Sequence, residues 1–299
     1  MLKAQGQQRA WRPSLKLILV AGLAMTASTS AMAVKFDAGD YVPAPPGTNL
    51  ALLYMQHASS DSLWSDGHKI DDKARLDTDI GIFRYVGFGK IAGMTFDYQV
   101  LQPFGSVRAS GSTASLGSAS GVGDTILVST LWVVNKPKSG TYVGITPYLW
   151  IPDGQYSASH ALNIGENRWK GAMQAVVSQQ LTKHVIAEGA ADVTFYGDND
   201  KAPGGPLKQD KMYEFQGWAR YLFDAKTEVN MRVSYTTGGK TTLDGIGQNH
   251  STNTWAFLGT LRRSLDAHHQ ILVQGGKDIA VRNGFKEGMR FQVRLLQIF

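Results

Sequence analysis

The 299-residue sequence predicts an all-β fold: a transmembrane, antiparallel, up-and-down β-barrel of about twelve strands with short periplasmic turns and longer extracellular loops. Three observations carry this. Apolar residues recur with a period of two along segments of about ten residues or more, longer than ordinary globular strands and long enough for a tilted strand to cross a bilayer. The connections between these segments alternate long and short. The chain also opens on an export pattern and contains no cysteine, so the exported product is not held together by disulfides. Closing a sheet on itself supplies another means, because it pairs every edge.

In chain order, residues 1–16 carry Lys3, Arg9, Arg12 and Lys16 and no acid, Leu17 to Met25 is a short apolar run, and Ala31-Met32-Ala33 is a small-x-small cleavage site. This is the pattern of a secretory signal peptide over 1–33, with a single barrel domain over 34–299 beginning at Val34. The apolar run is too short for a membrane-spanning helix. Of the formal net charge of +6, four units leave with the signal and +2 remains, so the basic composition does not argue for nucleic acid as a partner.

The expected strands lie at roughly 48–57, 77–88, 91–101, 123–134, 141–151, 169–179, 184–196, 211–223, 226–236, 253–264, 269–282 and 286–299. The clearest alternation sets Val185, Ala187, Gly189, Ala191, Val193 and Phe195 against His184, Ile186, Glu188, Ala190, Asp192 and Thr194. In two strands the pattern is irregular. The second carries Arg84 among apolar neighbours, and the fifth contains Pro147, which lacks a ladder donor and suggests a bulge or an edge. Trp132, Trp150, Trp169 and Tyr213 fall near strand ends, as an interfacial aromatic girdle requires.

Long connections follow the first, third, fifth, seventh and ninth strands, and of these the Gly/Ser-rich 102–122 and the 152–168 stretch are the ones expected to shape the passage. Short ones follow the second, fourth, sixth, eighth and tenth. The turn at Asn283-Gly284 departs from this by being short on the long side. A soluble two-sheet sandwich would share the alternating polarity, but it predicts neither the strict long–short order nor an even number of ten-residue strands.

If the apolar face meets lipid, the opposite face lines a lumen. The inward set is then Asp97, Glu188, Asp192, Glu214, Arg220, Glu228, Arg232, Arg262, Asp278, Arg282, Arg290 and Arg294, since charges this frequent cannot face hydrocarbon. They form either an ion-pair filling or a constriction in which acids on strands seven to nine face arginines on strands ten to twelve. Nothing marks an enzyme. No Gly-x-Ser-x-Gly elbow is present, His268-His269 has no accompanying ligand pattern, and Gly197-Asp198-Asn199-Asp200 lacks the later glutamate of a calcium loop. No cofactor or metal is expected. The chain ends on Met289 to Phe299, with Phe291, Val293, Leu295 and Phe299 on the lipid face and Arg290, Gln292 and Arg294 inward. Gln297 is the exception on the lipid face, and suggests a place at the periplasmic interface.

Three stretches resemble the meta-pathway phenol degradation family of exported β-barrel proteins: Gly121-Val122-Gly123-Asp124-Thr125, the segment 149–157 with Pro152, Gly154 and Tyr156, and Asn163 to Trp169 with Gly165 and Asn167. Each motif is short, and the resemblance runs over essentially all of 34–299. It implies an outer-membrane channel-like protein associated with catabolism of aromatic or other hydrophobic compounds. The terminal Phe299 similarly resembles the signal read by the outer-membrane assembly machinery. The expectation is an outer-membrane channel of a Gram-negative bacterium, with lipid, that machinery and a small-molecule solute as partners. A barrel-embedded lipid hydrolase and a plugged structural barrel without conductance are the alternatives.

Overall fold

The computed structural model describes residues 36–248 and 250–299; the expected signal peptide and Val34 lie outside the described residues. Twelve long strands run antiparallel: β1 Asn49–Ser65, β2 Ala74–Ile91, β3 Met94–Gly111, β4 in two pieces at Thr125–Val128 and Leu131–Lys136, β5 Thr141–Ile151, β6 Lys170–Gln180, β7 Val185–Tyr196, β8 Met212–Leu222, β9 Thr227–Gly238, β10 Thr252–Ser264, β11 His269–Val281 and β12 Gly284–Ile298. Each pairs with its neighbours in sequence, and β12 returns to β1 over a seam running from Leu50↔Ile298 to Trp64↔Gly284. The sheet is therefore a closed barrel. With its edges joined, every wall strand finds ladder partners on both sides.

All twelve expected strands are present, and the differences lie at one rim. β1, β2 and β3 run 17, 18 and 18 residues, well past their expected ends. Most of the Gly/Ser-rich 102–122 stretch is not a loop: it completes β3, and Ser118–Val122 folds back to pair with it from Phe104↔Val122 to Arg108↔Ser118. Alternation persists there in small residues, which a reading based on apolar periodicity registers as loop. The inward side of this tall arm is held by a core of Leu63, Ala74, Leu76, Val107, Leu116, Leu162, Ile164 and Phe285.

Pro147 does not lie at an edge. It pairs with Met173 on β6, and on its other side β4 is interrupted at Ser129–Thr130. Asp97 repairs the gap: its carboxylate accepts from Thr130 N–H at 2.6 Å and from Gln99 Nε2 at 2.9 Å, while its carbonyl accepts from Ser129 Oγ.

The outward face carries Met55, Phe83, Phe215, Met231, Phe291 and Leu295, as a lipid-facing wall requires. Trp169 and Tyr213 also face outward, but Trp132 and Trp150 are buried inside the barrel, so only half of the expected girdle is found.

Candidate functional site

The inward faces of β1 to β5 differ from those of β6 to β12. On the first wall Leu52, Val86, Phe88, Leu101, Ile126 and Val128 are buried and apolar. This explains Arg84: on β2 the more apolar face is the luminal one, and Arg84 stands there among Ile80, Ile82 and Val86. The second wall is charged or amide-rich, with Gln174, Glu188, Gln216, Arg220, Glu228, Arg232, Gln274 and Arg294 all buried.

Between the walls lies a segment that the alternation gave no means of finding. Residues 36–41 precede β1, enter from the short-turn rim and cross the lumen as a strap. Phe36 packs on Trp218 at 4.4 Å between ring centroids. Asp37 accepts from Arg294 Nη1 at 2.9 Å and from Gln274 Nε2 at 2.6 Å. The Gly39 N–H donates to Glu188 Oε2 at 3.1 Å. Asp40 accepts from Arg84 Nη1 at 2.9 Å and from Arg294 Nη1 at 3.1 Å. The Tyr41 hydroxyl lies 2.5 Å from Thr146 Oγ1 and donates to Gln174 Oε1 at 2.9 Å, and Trp132 Nε1 donates to the Tyr41 carbonyl. The strap is thus tied to β2, β4, β5, β6, β7, β8, β11 and β12. These tethers account for the inward turn of Trp132.

Around the strap the second wall forms a continuous ion-pair network. Arg220 donates to Glu188 Oε1 at 2.7 Å and through Nε and Nη2 to both oxygens of Glu228, at 3.0 and 2.7 Å. Arg262 reaches Glu228 at 2.5 Å. Such charge-assisted forks are the strong class of hydrogen bond, and they satisfy acids that the lumen would otherwise desolvate at high cost. The transverse separation of acids on β7–β9 from arginines on β10–β12 is not what forms. Arg220 and Arg232 stand on β8 and β9 among the acids, and the carboxylates facing Arg84 and Arg294 belong to the strap.

The remaining expected residues are placed as follows. Arg232 is buried, with Cζ 6.0 Å from the Trp218 ring centroid. Asp192 and Glu214 line a small chamber with Tyr148, Trp150 and Tyr196. Toward the long-loop rim Arg290 donates to Glu287 and Gln56, and Asp278 accepts from the Glu287 N–H. Arg282 is not luminal; it is exposed and donates to Asp66 on the rim at 3.0 Å. A register shift between Trp255↔Ala280 and Ala256↔Asp278 inserts one residue into β11, and a one-residue slip turns the following side chains to the opposite face.

The short glycine-based motifs converge at the long-loop rim. Asp124 Oδ1 accepts from the Gly154 N–H and Oδ2 from the Glu166 N–H, each at 3.0 Å, which clasps the 152–169 loop to the start of β4. A Cβ on Gly154 would lie 2.6 Å from Asp124 N, and one on Gly165 2.7 Å from the Gly154 carbonyl carbon, so the clasp closes only with hydrogen at both positions. Gly121 and Gly123 lie at the turn into β4: the Gly123 N–H donates to the Pro103 carbonyl, and the Gly121 Cα faces the Gln155 side chain. Pro152 leads into the loop. Tyr156, Asn167 and Glu166 all meet Asn199, which is buried; this is the asparagine of the Gly197–Asp200 stretch, a loop hub. Glu166 also holds Arg168 at 2.8 Å and pairs with Lys170. At the opposite rim the Phe299 N–H and carbonyl exchange 3.0 Å hydrogen bonds with Asn49, and Gln297 is exposed one residue from the strand end.

The crystal structure of the COG4313 outer membrane channel from Pseudomonas putida F1 matches with a TM-score of 0.86 and 34% identity over 89% of this chain and 100% of that one. The transport unit of the autotransporter AIDA-I from Escherichia coli matches at 0.54 and 9% identity, over 93% and 97% of the two chains. The translocator domain of NalP from Neisseria meningitidis matches at 0.51 and 8%, over 92% and 96%. These last two share the fold alone. No curated protein matches the chain. The Pseudomonas putida protein is an outer membrane barrel, 34% identical over the whole of its length, and the outer membrane is the location of this chain too. The family model described as "Putative MetA-pathway of phenol degradation" matches residues 60–295, and the chain belongs to that family.

Proposed function

We propose that this protein is an outer-membrane channel for small molecules whose narrowest section is the gap between its strap and its two unlike walls. The observation that carries the reading is the strap itself, tied to eight strands inside the lumen. A solute passing it meets carboxylates and guanidinia on one side and the apolar inward faces of β1 to β5 on the other. Lumens that combine charged rings with close walls sort solutes by charge and shape. The apolar wall favours solutes with a hydrophobic or aromatic body, which agrees with the catabolic association in the family's description. On this reading the buried luminal residues line the passage, residues 1–33 direct export, Phe299 serves assembly, and lipid surrounds the outward face.

Liposome swelling and planar-bilayer conductance of the refolded protein, with aromatic acids and sugars as solutes, test the proposal. A channel swells liposomes and carries current; inert membranes would sink it. They would favour a structural barrel, the second reading, which the number of tethers on the strap supports.

A further inference from the structure

The outward face of the barrel changes character partway up β1 and β2. Nearer the short-turn rim it carries Met55 and Phe83, and farther up it carries His57, Ser59, Asp77 and Asp79. At the level of His57 and Ser59 the facing strand β12 still presents exposed Phe291 and Met289. This is where the apolar band that meets acyl chains gives way to the headgroup level. His57 and Asp79 are direct cross-strand partners, and Ser59 follows His57 by two residues. The three side chains therefore share the outward face. His57 Nδ1 lies 2.8 Å from Asp79 Oδ1, and both side chains are exposed, at 40% and 68%. A carboxylate only accepts, so Nδ1 is the donor and Nε2 is left with its lone pair. Beside Ser59 the seam to β12 is irregular. Its register slips between Ser59 and Ser60 and again between Ser60 and Ser62, which leaves Asp61 and Gly288 without a partner across it. Bulges of this kind recur next to active sites, where backbone N–H groups outside the ladder serve as oxyanion donors. A polar row above the lipid needs only the His57–Asp79 pair. It does not need a hydroxyl two residues on, at the lipid boundary and beside a break in the ladder.

We propose that Ser59, His57 and Asp79 form a hydrolase site for long-chain acyl esters on the outer-leaflet surface of the barrel. Ser59 is the nucleophile, His57 the general base, and Asp79 positions the imidazole. The acyl chain lies along Met55, Phe83 and Phe291, which brings its ester to the level of the serine. Two residues of strand separate the Cα atoms of His57 and Ser59 by about 7 Å, a span that an imidazole and a hydroxyl leaning together can close. In the structure the Ser59 hydroxyl donates to Asp77 Oδ1 at 2.6 Å, so attack requires a turn about its χ1 toward His57. Asp77 then faces Arg108, its partner in register on β3. In the first step Nε2 takes the hydroxyl proton as Oγ bonds to the ester carbonyl carbon. The tetrahedral intermediate breaks its bond to the leaving alcohol oxygen, which takes the proton from Nε2. Water, deprotonated by the same nitrogen, attacks the acyl-serine, releases the fatty acid and returns a hydrogen to Oγ. The site lies outside the barrel and is independent of what the lumen conducts.

The test is hydrolysis of p-nitrophenyl palmitate by the full chain refolded in detergent micelles. We expect nitrophenol release with kcat/KM at least tenfold higher than for p-nitrophenyl acetate. A hexadecyl fluorophosphonate should form one adduct, located on Ser59 by mass spectrometry. Ser59→Ala and His57→Ala should each lose at least a hundredfold in turnover, and the adduct with it. Both positions are on the outer face, so an unchanged heat-modifiable gel shift verifies that these variants fold. Asp79→Ala should lower kcat at least tenfold at unchanged KM, and Asp79→Asn should recover part of the loss, because an amide oxygen still accepts from Nδ1–H. Absence of the Ser59 adduct, or turnover that survives in Ser59→Ala, overturns the proposal. Acetate turned over as fast as palmitate overturns the lipid substrate. Bilayer conductance is recorded on the same preparations and should be native in Ser59→Ala. Hydrolysis without conductance removes the channel and leaves the site, and conductance without hydrolysis does the reverse.

Discussion

Arg294→Ala separates the strap from the wall with little effect on the wall itself. Its guanidinium bonds Asp37 at 2.9 Å, Asp40 at 3.1 Å and Gln270 at 2.7 Å, and the residue is 2% exposed. Truncating one partner of a buried charge pair costs about 3–5 kcal/mol, because the other charge is left uncompensated. Here the uncompensated charge is that of Asp37 on the strap, since Asp40 keeps Arg84, while the backbone of β12 keeps its ladder to β1 and β11. The penalty therefore falls on the strap-in state. At about 1.4 kcal/mol per factor of ten, the ratio of strap-in to strap-out should fall by roughly two to three and a half orders of magnitude. Planar-bilayer recording reads this as longer dwell in a higher-conductance level, with Arg263→Ala, at an exposed position of β10, as the control. Adding Asp37→Asn to Arg294→Ala should return the recording part of the way toward the native level, because the stranded charge on Asp37 is then gone while Asp40 keeps its pair with Arg84. Native conductance and dwell times in Arg294→Ala would refute the strap as the constriction.

Glu228→Gln leaves Arg220 and Arg262 short of their shared carboxylate, so reversal potentials in a salt gradient should shift toward anions; an unchanged potential means that the network does not face the permeating ions. Asp124→Ala removes the acceptor of two backbone amides, at about 1–3 kcal/mol for each amide left unsatisfied, so hydrogen exchange at Gly154 and Glu166 should accelerate while the amides of β7 and β8 keep their protection. The Asp124 clasp should also respond to pH. Burial lifts its carboxyl to about 6, the nearby Glu166 charge adding to the rise and the amide hydrogen bonds opposing it. Its unfolded value is about 3.9, so the folded state holds the proton between these limits. The group's contribution is greatest below about pH 4 and is lost as pH rises through 6, by up to about 3 kcal/mol; denaturant midpoints of Asp124→Asn should show a shallower fall over this window than the native protein. Deleting Phe299 removes both of its hydrogen bonds to Asn49 at the seam, and the heat-modifiable outer-membrane fraction should drop sharply; full assembly would argue against a role for the terminal aromatic.

The walls of the barrel were legible because lipid imposes one rule on every strand, apolar outward at each second residue, and that rule survives without knowledge of any partner. It failed wherever the inside was apolar too. On β2 to β5 the luminal side holds Val86, Leu101, Ile126 and Trp132, so hydrophobicity marked both faces and the assignment of Arg84 and of two tryptophans was ambiguous or reversed. Arg282 was lost to a single inserted residue, which leaves no trace in composition. The strap was invisible for a different reason. Phe36 to Tyr41 has no period because its residues meet different strands, and its partners Arg84, Glu188 and Arg294 lie 44, 149 and 257 positions away. The pair of acids three residues apart, Asp37 and Asp40, was the available signal, facing a lumen already expected to be rich in arginine. The glycine motifs were found by resemblance, but only the folded chain shows why they are glycine.

Gly39 gives the strap a test that leaves every charge in place. Its φ of +87° lies where residues with side chains are rarely found, and a Cβ there would sit 2.6 Å from Arg262 Nη1 and 2.8 Å from Arg220 Nη2. Both guanidinia are held by Glu228, so they cannot yield without breaking charge-assisted bonds. Gly39→Val should cost the strap-in state about 1–2 kcal/mol for the backbone alone, with the collision and the weakened Gly39–Glu188 contact added to it. Opening should therefore increase at least tenfold in bilayer recordings. Ion selectivity should change less than in Arg294→Ala, because the luminal charge is the same. The two variants disturb one contact surface from opposite sides, one by removing charge from the wall and the other by adding volume to the strap. If Arg294→Ala opens the channel and Gly39→Val does not, the conductance depends on luminal charge and the strap does not occupy the passage. If both open it and only the first alters selectivity, residues 36–41 are the barrier.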